Sequence, residues 1–403
     1  MSSPVDTLET LRIERPASGG GVSHLADGRV VFVRHSLPGE LVRAAVNEET
    51  ARFARAEAVE VLEASADRVP AACGYARAHG CGGCDLQHAS VAAQLSWKAT
   101  LVTEHLRRIA GVTWDVNVVS LSAGTHTRTR LRCGVDEHGA LALRRARSSD
   151  LVAITSCEVA DERFDDAFAT KWRHADEVEL RAIGDGAPFA LVRRVTERGT
   201  HFELTSLVGV PIDPTTHSRV SVEGHYFVVS PRSFWQAHRE APATLLRGVM
   251  EFADVSPGDR VVDLFSGVGL FSVPLARAVG PAGQVIAVEA SPYAVRDART
   301  NAEGLRQLRV REWSVSPRAI NDVVSADDVV VLDPPRTGLA RGVAAALVRR
   351  APRRLVYVSC DAATFARDLS ILAEHYTLRD LRVLDLFPKT EHVELVAVLD
   401  LGP

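Results

Sequence analysis

The chain has 403 residues, 46% hydrophobic and 24% charged, with a formal net charge of −4. That length calls for two or three domains, and the composition is that of a soluble globular protein. The absence of any apolar run near ~18 residues, and of a signal-like start at Met1-Ser-Ser-Pro-Val-Asp6, predicts a cytoplasmic protein with no membrane attachment. The small negative charge excludes whole-molecule attraction to nucleic acid, so any such binding must come from local patches.

Residues 1–66 alternate short β-rich runs with glycine turns at Gly19-Gly-Gly21 and Asp27-Gly28. Runs at 29–33, 40–46 and 53–62 predict strands. Several short strands in so short a segment suggest a small oligonucleotide-binding barrel, with a generic β-domain as the alternative. Residues 70–88 form a cysteine- and glycine-rich loop. Residues 90–110 are apolar at helical spacing, end at Gly111, and predict a helix free to pack on the C-terminal domain. Residues 115–235 mix strands and helices. The predicted domains are therefore 1–66, a central 67–235 and a C-terminal 236–403.

From residue 236 the pattern is regular. Helices are predicted at 240–253, 270–279, 292–303, 338–350 and 362–374. Strands are predicted at 260–265, 284–289, 308–313, 328–333, 354–359, 379–386 and 393–400. The alternation argues for an α/β fold, a parallel doubly wound sheet, with the last two strands antiparallel. Asp263-Leu-Phe-Ser-Gly-Val-Gly269 joins the first of these strands to its helix. Gly267 and Gly269 allow a tight turn and close approach of a ligand to the backbone. Glu289 ends the next strand, where an acid can bind ribose hydroxyls. Ser272 stands where a dinucleotide fingerprint has its third glycine. An adenosyl cofactor without pyrophosphate, such as S-adenosylmethionine, fits better than NAD or FAD.

In such sheets the sites lie at the carboxyl ends of the strands. Asp333, in Asp333-Pro-Pro-Arg336, and Cys360, in Leu355-Val-Tyr-Val-Ser-Cys360, both fall there. His392 and Glu394 open the last strand, which runs the other way, so they are expected at the same edge and on one face. A thiol with a carboxylate nearby suits methylation at carbon 5 of a pyrimidine. Thiolate addition at carbon 6 makes carbon 5 nucleophilic, and a base then removes the carbon 5 proton. A free thiol has a pKa of about 8.5, so Arg336 and His392 are candidates to assist it. Arg336 stands where amino-group methyltransferases usually carry an aromatic residue. There is also no second cysteine on the aspartate loop, as the RNA 5-methylcytosine enzymes require.

Cys73, Cys81, Cys84 and Cys157 are expected to form one ligand set, since clustered cysteines in a reducing compartment favour metal ligation over disulfides. Four thiolates suit zinc or an iron–sulfur cluster, and spacing does not decide between them. Cys133 is left over as a structural thiol. Arg128, Arg130 and Arg132 share a face of a predicted strand, with Arg144, Arg145 and Arg147 close behind. They form a candidate phosphate-binding stripe, or else a solvated strand face.

These residues resemble the RNA uracil-5 methyltransferase family, over about residues 10–400. The resemblance is carried by Ser233-Phe-Trp-Gln236, Asp263 to Gly269, Leu332-Asp-Pro-Pro-Arg336, Val356-Tyr-Val-Ser-Cys360 and His392-Val-Glu394. It implies a Rossmann-like class I methyltransferase domain, an N-terminal TRAM barrel and a central α+β domain. It also implies S-adenosylmethionine contacts from Gln236, Phe265, Glu289 and Asp333, with Cys360 as nucleophile and Glu394 as general base. A [4Fe–4S] cluster on the four cysteines, with zinc as the alternative, belongs to the ribosomal RNA branch. The expected partner is 23S ribosomal RNA, with transfer RNA as the alternative, and the expected state is a monomer. A catalytically silent RNA-binding protein is the competing class. The chain departs from the family at four places: Asp361, where Asn is usual; Leu270, where a polar contact is common; the loop Trp313-Ser-Val-Ser316, which lacks a clear adenine-binding acid or amide; and the gap between Cys73 and Cys81, which is longer than expected.

Overall fold

The computed structural model describes residues 7–121, 124–197 and 199–402. The first six residues, read above for a signal, lie outside them. Three main sheets follow one another along the chain. The first has six strands within Thr7–Glu63, in the spatial order Thr7–Arg12, Leu41–Glu49, Phe53–Glu63, Val30–Arg34, Gly20–His24, Arg15–Ala17. All neighbours are antiparallel except the parallel pair Val30–Arg34 and Phe53–Glu63. Alternation along these strands turns Val31, Val33, Val42, Ala44, Ala54 and Ala56 into one small core.

The central sheet also has six strands, all antiparallel: Leu151–Ala153, Leu141–Arg144, Arg130–Val135, Glu177–Arg181, Phe189–Thr196 and Gly199–Thr205. A separate hairpin, Ser218–Val222 with His225–Val229, leads toward the C-terminal part.

The C-terminal sheet has the order Leu308–Glu312, Gln284–Glu289, Arg260–Leu264, Val329–Leu332, Arg354–Ser359, Glu394–Leu401, Tyr376–Asp385, Val118–Ser120. The first five strands are mutually parallel. Glu394–Leu401 runs antiparallel to both its neighbours. Near-continuous Val/Leu/Ile runs fit strands buried on both faces, and Val261, Val262, Val330, Val331, Leu355 and Val356 are fully buried. Strand order reverses between Arg260–Leu264 and Val329–Leu332, so a crevice is expected at their carboxyl ends. This is the doubly wound α/β architecture that the alternating pattern predicts, closed by an antiparallel strand.

The sequence pattern missed one feature of this sheet: Val118–Ser120 adds a parallel edge strand to Tyr376–Asp385. Val102, Leu106 and Val118 join the C-terminal core. The helix Val91–His105 and its π-helical extension Leu106–Ala110 therefore pack in the C-terminal layer, against Ala362–Leu372. Pro317–Val323 is a short helix, capped by Ser316 with proline in its first turn. The helix expected from residue 338 begins at Val343, after Gly338 and Gly342, both at positive φ.

Candidate active site

Cys360 follows Arg354–Ser359 directly, and Asp361 caps the next helix, its carboxylate accepting from the Thr364 amide at 2.8 Å. That is the task an asparagine would perform, so the departure at Asp361 keeps the turn and adds a charge. Asp368 fastens the turn from below. It accepts from the buried Tyr357 hydroxyl and from the Leu339 amide, both at 2.7 Å. One carboxylate thus joins the strand behind Cys360 to the loop that follows Asp333. Glu394 opens its own strand, opposite Leu384 and next to Leu395, which pairs with Ser359.

A cleft of about 810 Å3 runs along this edge. Gln236, Phe265, Gly267, Glu289, Asp333, Arg336, Cys360 and Glu394 all line it. His392 does not. It precedes the strand rather than sharing a face with Glu394, because the loop does not end until Glu394. Its ring lies edge-on to Phe387, 6.4 Å between centroids, and burial then Arg336 depress its pKa. A neutral imidazole in that place gives the thiol no positive charge. Phe234, 52% exposed, and Phe387 also line the cleft; the sequence reading gave neither a role, since phenylalanine by itself does not separate a cleft wall from a core.

The end of the cleft at Gly267 shows a built cradle. Phe265 holds φ +64, a left-handed backbone at a non-glycine residue, of the kind that clusters at functional sites. Gly267 sits at φ +53, and a Cβ built there meets nothing within 4 Å, so the space in front of its backbone is open. The Glu289 carboxylate accepts from the Gly267 amide at 2.9 Å and the Ser291 amide at 2.6 Å, tying the two strand ends together. Asp263 and Gly269 stand behind the wall rather than on it. Asp263 is fully buried, accepts from the Ser272 hydroxyl, and keeps Oδ1 without a partner. An orphaned buried carboxylate oxygen and an open glycine cradle fit a cationic amino-acid-bearing cofactor.

The electrostatics are those of crowded acids. Burial, then the Asp263 charge, pushes Asp333 up to about 7. Burial also pushes Asp263 up to about 7, against the Ser272 hydrogen bond. Burial, then Asp333, holds Glu394 well above the usual carboxylate range. Burial, then Glu394, pushes the Cys360 thiol up to about 12, and Arg336 opposes them. Burial and the neighbouring acids thus favour the protonated thiol.

The same cleft continues past Arg128, Arg130, Arg132, Arg144, Arg145 and Arg147 to Cys73, Cys81, Cys84 and Cys157. The stripe is less positive than the sequence suggested. Arg130 makes two bonds to Glu179, at 2.8 and 3.1 Å, and Arg132 one to Glu177 at 2.5 Å. Both glutamates come from the neighbouring strand, which only the fold brings across. Arg128 lies before the strand Arg130–Val135 and keeps its Nε unpartnered.

Among the described residues no group of His, Cys, Asp or Glu side chains is arranged to hold a metal ion. The four cysteines nevertheless all line the cleft. Burial raises Cys81, Cys84 and Cys157, and each is raised further by at least one other thiol of the set. The Gly83 amide donates to the Cys81 sulfur at 3.3 Å. Cys133 is fully buried in the core of the central sheet.

Comparison with known proteins bears on this arrangement. A family model described as tRNA (Uracil-5-)-methyltransferase matches residues 318–400, and one described as TRM5/TYW2 methyltransferase domain matches residues 247–337. The 23S rRNA (uracil(1939)-C(5))-methyltransferase RlmD of Acinetobacter baylyi is 32% identical, with 98% of this chain and 96% of that one covered. The chain belongs to the RNA uracil-5 methyltransferase family. It is also 36% identical to an uncharacterized RNA methyltransferase of Streptomyces avermitilis, over 96% of each chain. Its fold matches the Pyrococcus abyssi tRNA (uracil-54, C5)-methyltransferase in complex with S-adenosyl-L-homocysteine. There the TM-score is 0.69 at 24% identity, over 96% of this chain and 100% of that one. The protein is thus an S-adenosylmethionine-dependent enzyme acting on RNA. Among the described residues no helix is long and apolar enough to cross a membrane.

Proposed function

We propose that this enzyme makes 5-methyluridine in 23S ribosomal RNA, with Cys360 as the nucleophile and Glu394 as the base. The observation that carries the reading is the cleft itself, which Cys360, Glu394, Asp333 and the Gly267–Glu289 cradle all line. S-adenosylmethionine supplies an electrophilic methyl group. On this reading Gln236, Phe265, Gly267, Glu289 and Asp333 contact the cofactor, while Gly269 and Asp263, with its unpartnered oxygen, act from behind the wall. Cys360 adds through sulfur to carbon 6 of the uracil, and carbon 5 takes the methyl group. Glu394 then accepts the carbon 5 proton, the carbon–sulfur bond breaks, and the ring double bond re-forms as the thiolate leaves. The target base must leave its stack to reach the thiol.

The choice of 23S RNA rests on the relatives that carry that name. Arg128, Arg130 and Arg132 would meet phosphates along the cleft, and the first sheet would act as a TRAM-like RNA-binding barrel. Cys73, Cys81, Cys84 and Cys157 would hold a [4Fe–4S] cluster, with zinc as the alternative. In its support, all four line one cleft, where a bound metal centre would hold them as thiolates. On this reading the enzyme works as a monomer in the cytoplasm. The test is nucleoside analysis by mass spectrometry after incubation with cofactor and unmodified transcripts. 5-Methyluridine in 23S RNA and not in transfer RNA supports the assignment. Product only in transfer RNA transfers it to that substrate, and product in neither refutes it.

A further inference from the structure

Lys98 has no exposed side-chain surface, and its partner Asp385 is 3% exposed. Burying a lysine and an aspartate together is weak support for stability, since apolar residues of similar volume often do as well. What this ammonium touches is more telling. Besides Asp385 it donates to the Phe387 carbonyl at 3.0 Å. One turn earlier on the same helix, Gln94 accepts from the Lys389 amide at 2.7 Å. The Lys389 carbonyl in turn accepts the Asp85 and Leu86 amides at 2.9 Å, and Lys389 itself stands at φ +65. Every one of these contacts is to the segment Leu386–Val393 or its hinge. That segment begins beside cleft-lining Phe387, ends at cleft-lining Glu394, and leaves a strand in which Leu384, next to Asp385, pairs with Glu394.

We propose that Lys98 is a positioning residue for the transfer reaction: with Gln94 it clamps the segment before Glu394 and sets that carboxyl at the carbon 5 proton. The inference rests on the base role given to Glu394 above. No residue of the helix carrying Lys98 lines the cleft, so a purely structural lysine there would change stability and leave the partition of the reaction alone. A displaced base instead leaves methyl transfer possible and slows proton removal, so the Cys360–uracil bond outlives its normal time and an enzyme–RNA adduct accumulates.

The test uses the full-length enzyme, cofactor and a 23S RNA transcript fragment, with denaturing gels to count adduct. Lys98→Met with Asp385→Leu removes both charges together, which avoids an unpaired buried one. Expected are an unchanged cofactor affinity, a kcat lower by about tenfold with KM for RNA within about threefold, and a raised adduct fraction. Gln94→Ala, which keeps the ion pair, is expected to move the adduct fraction the same way and decides the matter should the double variant not fold. An adduct fraction equal to wild type in the variant that folds overturns the proposal. Glu394→Gln runs alongside: if it does not trap adduct, the base role itself fails, and the Lys98 result is not needed to see it.

Discussion

Asp263 sits in the fully buried strand behind the cofactor cradle, with its carboxyl pushed up to about 7 from 3.8, chiefly by burial. A carboxyl whose folded pKa is raised stabilises the fold fully below its unfolded value near 4. That contribution is lost as pH rises through about 7. The rise from 3.8 to about 7 makes its ionisation at pH 8 cost roughly 4 kcal/mol. Asp263→Asn keeps the acceptor for Ser272 and removes the ionisation. Its new amide hydrogens must find partners at a cost of about 1–3 kcal/mol. The variant is therefore expected to be more stable than wild type at pH 8 by roughly 1–3 kcal/mol, and no more stable at pH 4. It is also expected to bind S-adenosylmethionine at least about tenfold more weakly, since the orphaned oxygen no longer offers charge. Urea unfolding at pH 5, 6.5 and 8, with calorimetric titration of the cofactor at pH 8, reads both. A variant equally destabilised at every pH, with normal cofactor affinity, would refute the reasoning.

Other changes separate the cradle from the thiol. Gly267→Ala meets no atom but forces a left-handed alanine costing about 1–2 kcal/mol. A melting drop of a few degrees is expected, with cofactor affinity falling by about tenfold or more; unchanged affinity would mean the cofactor does not approach that backbone. Asp361→Asn keeps the helix cap and removes one charge that raises the Cys360 thiol. Alkylation of the Cys360 peptide by iodoacetamide, followed by mass spectrometry, is expected to quicken. Asp361→Ala loses the cap as well and about 1 kcal/mol of stability. Arg336→Gln removes the cation opposing that raised thiol, so the alkylation rate at pH 8 is expected to fall and its pH profile to move upward; an unchanged profile would assign the activation elsewhere.

The alternating C-terminal pattern made its sheet legible, because strands buried on both faces leave apolar runs that helices interrupt. The strand ends carrying Asp333 and Cys360 were legible for the same reason. Contacts made across the fold were not. Glu177 and Glu179 neutralise Arg132 and Arg130 from a strand more than forty residues away, which no local charge tally registers. Val118–Ser120 is too short to show a period, and its place beside Tyr376–Asp385 depends on the helix before it. The Ser316-Pro317 start of the helix Pro317–Val323 is a readable cap, obscured by the brevity of the helix. His392 reads as strand by spacing from Glu394, yet the turn at Phe387–Thr390, closed by the Thr390 hydroxyl on the Phe387 carbonyl, holds it in the loop.

The most direct test follows tritium released from carbon 5 of labelled uridine in a 23S RNA transcript, with S-adenosylmethionine, for wild type and Cys360→Ala. Release by the wild type and none by the folded variant is the expected result. Equal release from both, or 5-methyluridine formed by Cys360→Ala, would contradict covalent catalysis by this cysteine.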